Sequence, residues 1–191
     1  MQKILRQTSE THISLILDMR RKAVPRITIP IPFFTHLLTS MSWHGGFYLE
    51  VKADGDVDID PHHLVEDMGI VLGQALAVYF DESALVRYGA QRIVMDDALS
   101  EAIVDACKRP YLVYTASYPQ NFCGTFDLAL LREFFHALTY NAGITLHLHC
   151  HYGENSHHMA EALFKALGRS LAQAFTRIDG KQSDMSTKGK L

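Results

Sequence analysis

The hydrophobic pattern of this chain switches between a period of two and a period near 3.6, the signatures of strands and of amphipathic helices. Residues 11–18, THISLILD, are apolar and β-prone and predict a strand. Arg20-Arg21-Lys22 is a charged turn, and residues 23–31, AVPRITIPI, predict a second strand in which Pro25 and Pro30 permit only edge or end positions. In residues 33–45, Phe33, Phe34, Leu37, Leu38 and Met41 recur at three- and four-residue spacing, so a helix is expected, stopped by Gly45-Gly46. FYLEVKADGDVDID (47–60) alternates in parts around Asp54-Gly55 and predicts strand, turn and strand. Pro61 opens a helix that runs to about Phe80, with Leu64, Met68, Val71, Leu72 and Ala75 on its apolar face.

The second half repeats this plan. QRIVMDD (91–97), EAIVDAC (101–107) and PYLVYTASY (110–118) predict strands, and residues 127–143 predict an amphipathic helix ending at Asn141-Ala142-Gly143. ITLHLHCHYG (144–153) alternates as a strand, and residues 156–177 predict a last helix before a polar tail. Each half places a helix carrying Phe-Phe (Phe33-Phe34, Phe134-Phe135) and then a strand ahead of a helix that begins with His-His. Two copies of this order, about 1–89 and 90–191, predict one α+β domain with pseudo-two-fold symmetry. The apolar helix faces are expected to pack against each other between two sheets.

Composition narrows the function. With 48% hydrophobic residues and a net charge of -3, the chain is globular and has no broad basic face, which excludes nucleic acid as the expected partner. Its apolar runs are too short for a membrane span, and MQKILRQTSETHISL lacks a signal-peptide core, so a cytosolic protein is expected. Cys107, Cys123 and Cys150 form no CxxC pair and read as ordinary thiols. The eleven histidines stand out, and most of them lie in residues 36–63 and 147–158. Neutral imidazole is a transition-metal ligand.

The last helix of each half carries the same motif. HHLVEDMGIVLGQAL (62–76) and HHMAEALFKALGRSL (157–171) agree at His62/His157, His63/His158, Glu66/Glu161, Leu72/Leu167, Gly73/Gly168 and Leu76/Leu171. On a helix His62 and Glu66 share a face, as do His63 and Glu66, whereas adjacent imidazoles diverge by about 100° and suit two different ions. A single His-His-x-x-Glu is more often a surface feature, but its duplication, with further histidines upstream, points to two sites with nitrogen and oxygen ligands. Mn, Fe, Co, Ni and Zn all fit that donor set. His147, His149 and His151 alternate on one strand face, so one is expected to be a ligand. His12 and His136 have no partner motif.

The ordered series FFTHLL, WHGGF, DPHHLVEDMGIVLGQAL, MDDAL, VDACKRPYL, FFHAL, NAGITLHLH, GENSHHMAEALFKALGRSL and STKGKL resembles the imidazoleglycerol-phosphate dehydratase family from about residue 6 to the C-terminus. The resemblance implies a fold like the second domain of ribosomal protein S5. It implies a carbon–oxygen lyase of histidine biosynthesis that converts D-erythro-imidazole-glycerol phosphate to imidazole-acetol phosphate. It further implies two Mn²⁺ per site, metal sites completed between neighbouring subunits, and a 24-subunit shell built from trimers. By position the metal ligands are His36, His62, His63, Glu66, His147, His157, His158 and Glu161. Glu10, in RQTSETHI, is the acid/base candidate, and Glu66 and Glu161 join it in the catalytic set. Arg87, Arg109, Ser186 and Lys188 match phosphate-binding positions, and His44 matches a histidine close to substrate. His36, His62, His63 and Glu66 also touch substrate on this reading. A tail that composition reads as disordered is then expected to be ordered at the site.

The chain departs from the family pattern at Thr35, at Thr39-Ser40, at Tyr48, at Pro61, in Ile29-Pro30-Ile31-Pro32 and at His149. None of these removes an expected ligand, but they bear on substrate orientation. Three rivals stand beside the dehydratase: a relative acting on another imidazole or triazole phosphate, a non-catalytic metal-binding shell protein, and a zinc hydrolase. The phosphate-binding residues argue against the shell protein, and the lack of HExxH or a nucleophile elbow argues against the hydrolase.

Overall fold

The computed structural model describes residues 1–82 and 84–179. Its first half runs β1 (Gln2–Gln7), β2 (Thr11–Asp18), β3 (Arg26–Thr28), α1 (Pro32–Gly45), β4 (Tyr48–Gly55) and α2 (His62–Ala77). A short helix, α3 (Tyr79–Glu82), leads to β5 (Tyr88–Met95), β6 (Ala98–Asp105) and β7 (Tyr111–Thr115). A small hairpin of β8 (Phe122–Cys123) and β9 (Phe126–Asp127) precedes α4 (Leu130–Ala142), β10 (Thr145–Tyr152) and α5 (Ser156–Ala174). The first sheet has the order β1-β2-β4-β3 and the second β5-β6-β10-β7. In each, the last strand runs parallel to its neighbour and the other pairings are antiparallel. The halves therefore share a topology as well as a motif. No helix among the described residues is long and apolar enough to cross a membrane.

Three local expectations need revision, and one strand was not anticipated. Only Arg26–Thr28 of the proline-containing stretch pairs, as an edge strand. Residues 57–60 are not a strand: the amides of Ile59 and Asp60 bond back to the Asp56 carbonyl, and Ile59 is left 81% exposed with no strand to pair with. QKILRQ, too polar to signal a strand, forms edge strand β1 because its alternate residues lie against the core. The Phe-Phe pairs are not equivalent. Helices α1 and α4 end on left-handed glycines, Gly46 and Gly143, and aligning those caps matches Leu37-Leu38 with the buried Phe134-Phe135. The two Phe-Phe pairs thus stand one helical turn out of register.

Helices α1 and α2 lie on the first sheet and α4 and α5 on the second, and the two layers meet as α1 with α5 and α2 with α4. The glycine shared by the two motif helices explains this contact. A Cβ on Gly168 would sit 2.0 Å from the Met41 carbonyl oxygen, and one on Gly73 2.7 Å from that of Leu138. Only glycine lets the backbones approach so closely. Phe34, Phe126, Phe134, Phe135 and Phe164 form a chain of ring contacts through this interface, with neighbouring centroids 5.2–5.9 Å apart.

The paired helices run parallel, since Met41 faces Gly168 and Phe134 and Leu138 face Gly69 and Gly73. Each sheet's parallel pair is bridged by a helix, so α1, α2, α4 and α5 all begin at the end of the sheets where β4 and β10 finish. The β1–β2 and β5–β6 turns lie at that same end, because Thr11 pairs with Gly55 and Leu99 with Tyr152. This motif end carries the His-His segments. The opposite, far end carries the segment around Arg87, whose amide donates to the carbonyl of Ala174 at the close of α5.

Candidate metal centre

His36 from α1 meets His157 and Glu161 from α5 at the motif end. Glu161 Oε2 lies 3.0 Å from His36 Nε2 and 3.1 Å from His157 Nε2, and the imidazole centroids are 5.3 Å apart. His157 Nε2 hydrogen-bonds that oxygen, whereas His36 Nε2 is buried and lacks hydrogen-bond geometry toward it, which leaves one ring nitrogen of the group without a partner. The second carboxylate oxygen is occupied: Oε1 accepts from Lys165 Nζ at 2.9 Å and lies 3.4 Å from the Ser40 hydroxyl. Burial alone would raise the Glu161 pKa, but the Lys165 ammonium and His36 hold its carboxyl down at about 2. Among the described residues this is the one group of three or more His, Cys, Asp and Glu side chains able to hold a metal ion, its ligand atoms within 4.8 Å of one another. Two imidazoles and one ionised carboxylate suit a divalent transition ion. The group faces a cavity of about 870 Å³ walled by Phe33, Phe122 and Phe126.

The first-half motif is less complete. His62 Nε2 is 3.6 Å from Glu66 Oε2, and both side chains are part-exposed. The glycine-cap register puts Glu133 of α4 where α1 has His36, and Glu133 is not gathered with this pair. The second histidine of each motif turns away from the first, the rings of His62–His63 and His157–His158 being 6.1 Å apart and at 84° and 82°. His63 Nδ1 faces Asp56 Oδ2 at 3.0 Å and Glu10 Oε2 at 3.8 Å, and its pKa is raised, chiefly by the Asp56 hydrogen bond. His158 Nδ1 faces Asp97 Oδ1 at 2.5 Å. Asp97 also accepts from the amides of Glu154 and Asn155, and these three donors hold its carboxyl far below the usual range.

Other expected residues lie elsewhere. His147 sits on the sheet face turned away from the helices, with Leu146 and Leu148 pointing inward beside it. Arg87, at the far end, forms a two-bonded pair with Asp105 at 2.7 and 3.1 Å and lies over the Tyr88 ring, while exposed Arg109 is 3.8 Å from the same carboxylate. His44, in the last turn of α1, has its pKa lowered by partial burial and then by the Lys165 charge. Ser186 and Lys188 lie outside the described residues. The departures from the family pattern are satisfied locally: Thr35 donates to the Ile29 carbonyl, Thr39 to the Thr35 carbonyl, and Tyr48 to Glu50. Sequence reasoning missed Lys165, Asp56 and Asp97. The i, i+4 spacing of Glu161 and Lys165 was an available signal, whereas the two aspartates meet their histidines only through the fold.

The profile of the family described as imidazoleglycerol-phosphate dehydratase matches residues 29–171. An imidazoleglycerol-phosphate dehydratase of Trichlorobacter lovleyi is 49% identical over 99% of this chain and 97% of its own length. The enzyme of the same name from Syntrophus aciditrophicus is 47% identical over 98% of this chain and 96% of its own. The crystal structure of imidazoleglycerol-phosphate dehydratase from Staphylococcus aureus superposes with a TM-score of 0.82 at 37% identity, covering 93% of this chain and all of that one. That from Pyrococcus furiosus, in complex with (S)-C348, gives 0.85 at 33% identity, covering 98% of this chain and all of that one. With the match spanning the His36, His62, His63, Glu66, His157, His158 and Glu161 positions, the chain belongs to the imidazoleglycerol-phosphate dehydratase family, hydro-lyases of histidine biosynthesis.

Proposed function

We propose that this chain removes water from D-erythro-imidazole-glycerol phosphate, giving imidazole-acetol phosphate, at manganese sites that several copies build together in the cytoplasm. One observation carries the shared-site reading. The gathered His36, His157 and Glu161 and the other motif histidines lie at the motif end, whereas Arg87 and Arg109 lie at the far end beside the close of α5. His157 and Ala174 stand seventeen residues apart on that helix, which at 1.5 Å per residue is about 25 Å. A small phosphate ester cannot bridge that distance. A homo-oligomer that brings one copy's far end to another copy's motif end supplies both halves of the site, and the 24-subunit shell suggested by the resemblance is such an assembly. His147 on the outer sheet face, and His62 with Glu66 short of a third donor, also suit completion by a neighbour. On this reading residues 1–191 act as one catalytic domain.

The proposed ligands are His36, His62, His63, Glu66, His147, His157, His158 and Glu161, and the donor set leaves manganese, zinc and iron all chemically possible, with manganese our choice. Held by these residues, the ions would supply Lewis acidity to the substrate's imidazole, so that the ring could accept the charge left by a departing proton. Glu10 moves protons: its carboxylate is 51% exposed on the β1–β2 turn. That turn is braced against α2, where the Thr11 hydroxyl donates to Asp67 at 2.5 Å and Arg6 pairs with the same carboxylate at 2.8 Å. Arg87, Arg109, Ser186 and Lys188 bind the phosphate, Arg87 in an orientation fixed by Asp105. His44 stands close to the substrate.

Purified protein with added Mn²⁺ should release imidazole-acetol phosphate, and metal analysis of the same sample should give two ions per chain. Full metal loading without turnover would instead favour the non-catalytic metal-binding shell.

A further inference from the structure

The two hairpin turns at the motif end are structural counterparts, and they treat their carboxylates differently. Strands β2 and β6 align Thr11 with Ala98, since both pair near the ends of β4 and β10, so Glu10 and Asp97 occupy the same place immediately before their strands. Both face Nδ1 of the second histidine in their half, at 3.8 Å for Glu10 with His63 and 2.5 Å for Asp97 with His158. The loops between strand and motif helix differ in length. In the first half residues 56–61 intervene, and Asp56 from this loop takes the Nδ1 of His63 at 3.0 Å. In the second half the shorter segment 153–155 contains no carboxylate that reaches His158. Asp97 spans the gap instead, with Oδ2 accepting from the Glu154 and Asn155 amides at 2.5 and 2.9 Å and Oδ1 facing His158. His158 Nε2 points away from this contact, toward only the exposed Asp96 carboxylate at 3.7 Å.

We propose that Asp97 is a positioning residue of the metal centre: it fixes His158 with the proton on Nδ1 and the Nε2 lone pair outward, while Asp56 performs that task for His63 and so leaves Glu10 free for the substrate. This rests on the metal-dependent reading above. A carboxylate on the distal ring nitrogen sets the tautomer and orientation of a metal-binding histidine. Duplication supplied both hairpin carboxylates. The longer loop of the first half released one of them from a structural duty, and the shorter loop of the second half kept the other in it.

The test is Asp97→Asn, studied without relying on turnover. Its carboxamide oxygen can still accept from the Glu154 and Asn155 amides, which turns the NH₂ toward His158 and demands an acceptor at Nδ1. Nitrogen-15 NMR of the metal-free protein in alkaline buffer should show the Nδ1–H tautomer of His158 in the native chain and Nε2–H in the variant. Titration with Mn²⁺ should show affinity about 10- to 100-fold weaker in the variant, while Glu10→Gln leaves the affinity unchanged. An Nε2–H tautomer in the native chain, or unchanged Mn²⁺ affinity in Asp97→Asn, would overturn the proposal, and the native spectrum decides the matter even if the variant does not fold. If tautomer and affinity come out as expected but the native chain shows no dehydratase turnover, the proposed function fails and the role of Asp97 stands.

Discussion

The two His-His helices began as copies, yet they now stand in different environments. On α5, Glu161 is 7% exposed, bound by Lys165, near Ser40, and joined by His36 from the other half. On α2, Glu66 is half-exposed, Ile70 stands where α5 has Lys165, and the position facing it from α4 offers Glu133 and no histidine. One copy builds most of a metal site within its own chain, and the other presents ligands outward. Duplication preserved the donor spacing, and the helix across the interface decided which copy is self-sufficient.

This contrast predicts unequal effects of equal substitutions. Glu161→Gln removes the carboxylate charge and leaves one amide oxygen that cannot serve both a metal and the part-buried Lys165 ammonium, so it should cost up to about 3–5 kcal/mol of stability by the usual penalty for breaking a buried pair, and weaken the metal group as well. Glu66→Gln should leave the isolated chain's stability nearly unchanged, within about 0.5 kcal/mol, and weaken metal-dependent assembly. Denaturant melts with metal titrations on both variants check this, and equal losses would erase the distinction between the copies. Next in size, Gly168→Ala should destabilise by about 1–3 kcal/mol through overpacking and push His36 away from His157. Gly73→Ala, with 0.7 Å more room before the Leu138 carbonyl than Gly168 has before Met41, should cost less. The smaller effect is on pH. With its folded pKa depressed to about 2, Glu161 stays ionised until very acid pH, and whatever stability its ionisation contributes is lost only as pH falls toward that value. Metal release on acidification should therefore be complete before Glu161 is protonated. Release following a carboxylate titration would contradict this.

Much of this was legible in the chain. Periodicity marked the longer strands and all four long helices, and the repeated His-His-x-x-Glu with its shared glycine exposed the duplication. The glycine's purpose was not legible, because close approach to the Met41 carbonyl depends on which helices meet. The Phe-Phe pairs misled by one turn, since Leu37-Leu38 fills the same buried positions with different chemistry. Alternation in Val57-Asp58-Ile59-Asp60 suggested a strand, but pairing needs a neighbour and none is there. The proposed ligand and phosphate residues came from the family motif, yet linear order could not say that the His-His segments lie at one end of the molecule and Arg87 with Arg109 at the other. Nor could it say that Asp56 and Asp97 reach the histidines, since both contacts arise only when the hairpins and helix starts converge.

The claim that the active site is shared between copies is tested most directly by mixing two damaged chains. His157→Ala should disable the motif end of the proposed site, and Arg109→Ala the far end. Each protein alone should be nearly inactive. Unfolded together and reassembled in equal amounts, they should recover roughly a quarter of native dehydratase activity if two chains contribute to each site. No recovery, in mixed assemblies verified by mass, would mean that each chain builds its site alone and would contradict the account.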